Sequence, residues 1–210
     1  MKKLFFPLIL FISLVSFSQN DSTFIRSIYS TALSEGNAYN DLRSLCKDIG
    51  SRITGSAEAE MAILWGKQKM ESYGFDKVYL QEITVPHWER GTTEAGWVKD
   101  QDNSIKKIHL LALGGSIGTH GVIEGELIEF STLEALKNAT KKEVEGKIVF
   151  INQKMNEQHI QTFKAYGGCY PVRGNGANEA SRLGAKAVII RSLGMPIDEH
   201  PHTGTMHYSD

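Results

Sequence analysis

The sequence predicts a mixed α/β chain in two parts. Two apolar strand-like runs, one inside GKIVFINQ (146–153) and one at 185–190, flank a helical stretch with small residues at Ala177, Ala180 and Gly184. That spacing lets a helix lie close against a sheet. Ahead of them, residues 19–90 read as three helices followed by one alternating run. Residues 91–104 are polar and turn-rich, which suits a junction before the second part at 105–210.

The elements follow in order. Ile25, Ile28, Tyr29, Ala32 and Leu33 fall at helical spacing, and Gly36 is placed to end that helix. A second helix carries Tyr39, Leu42, Cys46 and Ile49 on one face and stops at Gly50. Ser56 is a suitable N-cap for a third, with Glu58 and Glu60 where the helix dipole favours anions and Ala57, Met61, Leu64 and Trp65 as its apolar stripe; Gly74 is the expected stop. Residues 77–85 alternate as a strand does, and Pro86 ends the run because proline cannot donate to a ladder. Further strands are expected at 105–113, 121–130, 147–152 and 185–190, with a short helix starting at Ser131 or Thr132. The last stretch, 194–210, is rich in Pro, Gly, His and Asp and reads as an open loop, so the sheet is expected to lack its closing strands.

Composition bounds the partners. Of 210 residues, 41% are hydrophobic and 22% charged, ordinary for a soluble globular protein with room for one large domain or two small ones. The 23 basic and 24 acidic side chains leave a net charge of -1 with no long run of one sign, so nucleic acid is not expected as a partner.

Residues 1–18 read as a secretory signal peptide: Lys2 and Lys3, then the apolar run from Leu4 to Val15, then Ser16 and Ser18 around a cut before Gln19. The alternative is an uncleaved anchor, but the run is shorter than the roughly 20 residues a bilayer span requires, and Pro7 interrupts it. The mature protein is therefore expected to be exported, secreted or periplasmic, with no membrane span after cleavage. Cys46 and Cys169 permit one bridge in an oxidising compartment, but sequence gives no distance between them, and Cys46 on an apolar stripe reads as a small buried hydrophobe. The sequons at Asn20 and Asn138 matter only in a host that glycosylates exported proteins.

Candidate chemistry is sparse. Gly114-Gly115-Ser116-Ile117-Gly118 has the spacing of a nucleophile elbow, yet an elbow needs a strand before it and a helix after it, and here a turn into another strand follows. His200, His202 and His207 with Asp198, Glu199 and Asp210 are zinc-ligand types at a spacing that matches no common site, and they read better as a solvated turn. His87, His109, His120 and His159 are scattered. Gly174-Asn175-Gly176 starts like a dinucleotide-binding turn, but Glu179 holds the third glycine position, and Pro171 precedes it where a strand is required. These glycines fit better as a tight start to a helix capped by Asn175 or Asn178. There is no HExxH pair, no phosphate loop and no CxxC.

Six segments taken in order, IGSRITGS (49–56), VPHWERG (85–91), LGGSIGT (113–119), GKIVFINQ, and IIRS followed by PHTG (201–204), resemble the carboxypeptidase Q family. These are exported zinc peptidases, also called plasma glutamate carboxypeptidase, of the zinc aminopeptidase superfamily. GKIVFINQ with the helix and strand after it resembles the core of a protease-associated domain. One departure is Ser51, where relatives commonly have proline. The resemblance implies that 19–90 is the N-terminal part of a zinc-peptidase α/β domain and 105–210 a protease-associated insertion, incomplete at its C-terminal end.

It also implies two zinc ions held by His, Asp and Glu, with a glutamate as general base, short peptides as substrates and a homodimer as a possible assembly. The family's base and one ligand form a Glu-Glu pair, and another ligand lies in a His-Leu-Asp motif; neither occurs here. No catalytic, cofactor-binding or metal residue is therefore assigned to a numbered position, and no zinc is expected on this chain alone. The expected function is the N-terminal portion of an exported zinc exopeptidase. The alternative is a secreted, non-catalytic protease-associated module that binds peptide or protein partners.

Overall fold

The computed structural model describes residues 18–196 and 198–209, with side chains from residue 21 onward apart from that of Thr162. The expected signal segment lies outside the described residues except for Ser18. The architecture is mixed helix and sheet, and the chain divides between His87 and Trp88 into two compact units.

The first unit is helical. Its elements are α1 (Ser18–Ser34), α2 (Ala38–Ser44), which runs on through a π-helical turn at Leu45–Ile49, and α3 (Ala57–Ser72). Gly50 (φ 89°) and Gly74 (φ 75°) adopt the left-handed backbone that stops a helix at no steric cost to glycine. Ser56 caps α3, its Oγ accepting from the Ala59 amide at 3.1 Å.

Polar ties hold α2 to α3. Trp65 Nε1 donates to Ser44 Oγ at 3.3 Å, and the Asp41 carboxylate accepts from the Tyr73 hydroxyl and from Lys69 Nζ, the latter at 2.9 Å. The bond from Tyr73, then that from Lys69, holds the Asp41 carboxyl below its ordinary value, and Asp41 in turn raises Lys69 and Tyr73.

Two expectations fail in this unit. Residues 77–85 are not a strand: they have no ladder, and no strand occurs among the unit's described residues. Alternation decides only which way side chains face, whereas a strand also needs a neighbour to bond. Cys46 is exposed rather than buried, because nothing in the unit covers the α2 face that carries it. The same holds throughout: none of its described residues is buried, and Tyr39, Leu42, Met61 and Leu64 of the two predicted stripes are 47% exposed or more.

The second unit holds the core. It begins with an antiparallel hairpin, β1 (Gly96–Lys99) with β2 (Ile105–Ile108). Then come β3 (Leu127–Phe130), α4 (Leu133–Lys137), α5 (Lys141–Val144), β4 (Ile148–Ile151), α6 (Thr162–Arg182) and β5 (Ala187–Ile190). The last three strands form a parallel sheet in the order β3-β4-β5, with Phe130 opposite Ile151 and Ile151 opposite Ile190. The strands expected at 105–113 and 121–130 keep their ladders only over β2 and β3.

Threonines start the short helices. Thr132 Oγ1 accepts from the Ala135 amide at 3.0 Å, and Glu143 closes a capping box by accepting from the Thr140 amide at 2.7 Å.

The largest correction is α6. It begins at Thr162 and runs through Pro171, Gly174 and Gly176, so Asn175 and Asn178 lie inside it and do not cap it. Proline has no N–H for the Gly167 carbonyl, a loss that makes a helix reading unattractive from sequence. Beside this break the carbonyl of Gly168 is taken by Gln153 Nε2 at 3.2 Å. The close approach to the sheet also comes earlier than expected. A Cβ built on Gly176 would meet Ile151 at 2.9 Å and Ala180 is fully buried, while Ala177 is only half-buried.

Leu133, Leu136, Val144, Val149, Ile151, Val172, Ala180 and Leu183 form the main core, where α4 and α6 cover the sheet. Each enclosed Leu, Ile or Val contributes about 1.5–3 kcal/mol over leaving it in water. Met155, Ala165, Cys169 and Leu193 form a smaller cluster beside it.

Candidate functional site

Segments far apart in sequence converge in the second unit. Trp88 Nε1 donates to the carbonyl of Ser116 at 2.9 Å, and the Arg90 guanidinium lies 5.4 Å from the Trp88 ring centre. Arg90 also pairs with Glu94 at 3.5 Å and donates to Thr203 Oγ1 at 3.3 Å, while Glu94 accepts from the Ala112 amide at 2.6 Å. WERG, LGGSIGT and PHTG are therefore joined by hydrogen bonds.

Backbone pairing reinforces the junction. The Gly114 amide donates to the Gly204 carbonyl at 2.8 Å, and the Met206 amide donates to the Gly114 carbonyl at 2.9 Å, a parallel bridge between Gly114 and Thr205. Gly115 (φ 86°) must be glycine twice over: its backbone is left-handed, and a Cβ there would fall 2.9 Å from the Met206 carbonyl oxygen. Asn178 of α6 fastens the end of this turn, donating to the His207 carbonyl and accepting from the Ser209 amide, both at 3.0 Å. Met206, within this turn, is buried.

Arg173 lies at the centre. It is a buried α6 residue whose guanidinium sits 5.5 and 5.2 Å from the ring centres of Tyr166 and Tyr170, and its Nη1 donates to the Thr203 carbonyl at 3.4 Å. Gly204 packs onto it so tightly that any side chain would collide: a Cβ would fall 2.5 Å from Nη1 and 2.7 Å from Nε.

The sequence candidates are placed differently. Ser116 is no elbow nucleophile, since its amide closes a turn on Leu113 and no helix follows before α4. His202 meets Tyr166 edge to face at 5.7 Å, and its amide donates to Ser192 Oγ at 2.7 Å. His200 is exposed with Nδ1 4.0 Å from Asp198 Oδ1, and His207 engages Asn178 only through its carbonyl. Asp210 lies outside the described residues.

His87 Nδ1 is 2.8 Å from the Gly55 carbonyl in the first unit, and His109, His120 and His159 lie in loops. An open cavity of ≈ 430 Å³ is lined by Ser192, Asp198, His200, His202 and Thr203 among others. Among the described residues no three His, Cys, Asp or Glu side chains converge to hold a metal ion.

The thiol of Cys169 is no nucleophile either. Desolvation pushes its pKa up, against a hydrogen bond from Gln153 and the charge of Arg191, which keeps it protonated. What the arrangement does chemically is fix a loop.

Sequence reasoning missed the residues that do the fixing: Arg173, Glu94, Gln153 and Asn178. A weak signal existed for one of them, since Arg173 stands between buried Val172 and Gly174 on the helix face that packs on the sheet.

No protein-family model matches the chain. Among curated proteins it is 36% identical to carboxypeptidase Q of Xenopus laevis over 180 residues, covering 84% of this chain and 35% of that protein. Against carboxypeptidase Q of Homo sapiens it is 34% identical over 186 residues, 88% of this chain and 36% of the relative. The chain thus spans about a third of the length of the curated relatives it matches. A solved structure of a peptidase M28 precursor from Shewanella amazonensis SB2B superposes with a TM-score of 0.78 at 34% identity, over 91% of this chain and 42% of that one. By sequence and by fold, the chain is similar to the N-terminal third of carboxypeptidase Q and to part of a peptidase M28 precursor.

Proposed function

We propose that this sequence is the N-terminal portion of an exported, zinc-dependent exopeptidase that releases residues from dipeptides or short peptides. The observation that carries the reading is the identity of 34–36% to carboxypeptidase Q over 84–88% of the chain, at about a third of the relatives' length. Residues 19–90 are then the start of the zinc-peptidase domain, and 105–210 most of a protease-associated insertion. The exposed apolar faces of the first unit support this, since a helical layer with no buried residue needs a sheet to cover. The zinc ions and the general base belong to residues other than those described, and the described residues frame the site.

Export rests on the signal-like residues 1–18. Among the described residues no helix is long and apolar enough to cross a membrane. The second unit has a core of its own, which favours the alternative of a secreted module that binds peptides without cleaving them.

The deciding experiment compares the native secreted protein with residues 19–210 expressed alone, using dipeptide hydrolysis before and after chelation. Activity in the native protein that is lost to chelator and restored by zinc, with none in residues 19–210, is expected. Zinc-dependent hydrolysis by residues 19–210 alone would overturn the assignment of the chemistry to other residues. A native protein without activity, and with an intact mass no larger than the 23.3 kDa of this sequence, would favour the binding module.

A further inference from the structure

Arg173 is a buried cation without a counter-charge. It is 7% exposed, and among the described residues no carboxylate forms an ion pair with it. Its one hydrogen bond there is the long contact from Nη1 to the Thr203 carbonyl at 3.4 Å, and its Nε is enclosed with no partner at all. Buried charges are ordinarily paired, and a buried N–H left without an acceptor costs its full desolvation. The rings of Tyr166 and Tyr170 offset part of that cost through cation–π attraction, but a ring face does not accept the in-plane hydrogen bond of Nε. The shortfall has a definite chemistry: an acceptor that is anionic and can approach the edge of a planar guanidinium fork.

We propose that Arg173 is a carboxylate seat. The carboxylate bonds Nε–H and a neighbouring Nη–H in the guanidinium plane, and because Nε is enclosed and Gly204 packs directly on the guanidinium, the Pro201–Gly204 turn has to shift to admit it. Two sources share that chemistry: an Asp or Glu side chain elsewhere in the whole protein, or the C-terminal carboxylate of a short peptide. The second rests on the peptidase reading; the seat itself does not.

The test is NMR of the arginine Nε–H groups in the whole protein labelled with 15N. The Arg173 signal is assigned by its proximity to the Tyr166 and Tyr170 rings and to Gly204, so no variant is required. Sodium formate is added, with sodium chloride and formamide at matched concentration as controls. If the source is a free carboxylate, formate shifts the Arg173 Nε–H and slows its exchange, neither control does, and a peptide with a free C-terminus competes where its amidated form does not.

If the source is internal, the Nε–H exchanges slowly before any addition, ignores formate and loses its protection as pH falls through the carboxylate range near about 4. An Nε–H that exchanges quickly throughout and answers to neither formate nor pH overturns the seat. Formate is not a substrate for hydrolysis, so that failure would leave the peptidase test standing.

Discussion

Gly204 lies against the guanidinium of Arg173 at a distance that leaves no room for a Cβ, which would come within 2.5 Å of Nη1. A single methyl group must therefore move either the turn or the arginine. Gly204→Ala is expected to cost about 1–3 kcal/mol, the usual penalty of forced overpacking. Gly118→Ala, where a Cβ would meet nothing within 4 Å, is the matched control and should leave the melting temperature unchanged. Equal melting temperatures for the two variants would contradict the packing described.

Gln153 spans two helices with one amide. Its Oε1 accepts from the Leu133 amide at 2.9 Å at the start of α4, and its Nε2 donates to Gly168 near the proline of α6. Gln153→Leu keeps the bulk and strands both backbone groups, so a loss of about 1–3 kcal/mol is expected for each one that water cannot reach. Denaturant unfolding reads it, with the exposed Gln158→Leu as the comparison that should change little.

The two thiols should separate kinetically. Cys46 is exposed, whereas Cys169 is buried with its pKa raised chiefly by desolvation. Iodoacetamide at pH 8 is expected to modify one cysteine quickly and the other only after denaturant is added, with peptide mapping assigning the fast site to Cys46. Equal native rates would show that the small cluster around Met155 and Leu193 opens readily.

Acid should loosen α2 from α3. The Asp41 carboxyl titrates below its ordinary value in the folded chain, so its contribution is in place above about 4 and is lost as pH falls through the lower folded value. Tyr73 is shifted up, so its part is in place below about 10 and is lost as pH rises through its folded value. The indole N–H signal of Trp65, which is bonded to Ser44, should report both transitions. Asp41→Asn should abolish the acid one.

Much of the fold was legible because its signals are local. Ser56, Thr132, Gly50 and Gly74 mark helix ends through their own backbone and side-chain chemistry, and residues 148–151 and 187–190 are apolar runs too short for helices. The errors arose where a neighbour decides. Residues 77–85 alternate correctly yet have no strand to pair with among the described residues, and Cys46 lies on an apolar stripe that nothing covers.

The α6 start was hidden by Pro171, Gly167 and Gly168, each a helix breaker by propensity, which burial of Ala165, Cys169 and Val172 overrides. The convergence of WERG, LGGSIGT and PHTG could be read as a resemblance but not as a contact. The bond from Arg90 to Thr203 spans residues that sequence does not relate by any period.

At the end of the parallel sheet, β5 pairs with β4 on one side only. Among the described residues its outer edge therefore offers the backbone groups of Ala187, Val188, Ile189 and Ile190, four apolar residues in a row, to any strand that comes near. Lys186 and Arg191 bracket that row, one reaching the Glu124 carbonyl and the other Asn152. Both side chains reach inward, toward the segment before β3 and the residue after β4, so their charges flank the apolar row without covering its outer edge. An edge of this kind is where a further strand, from the same chain or another, would extend the sheet by backbone hydrogen bonds alone.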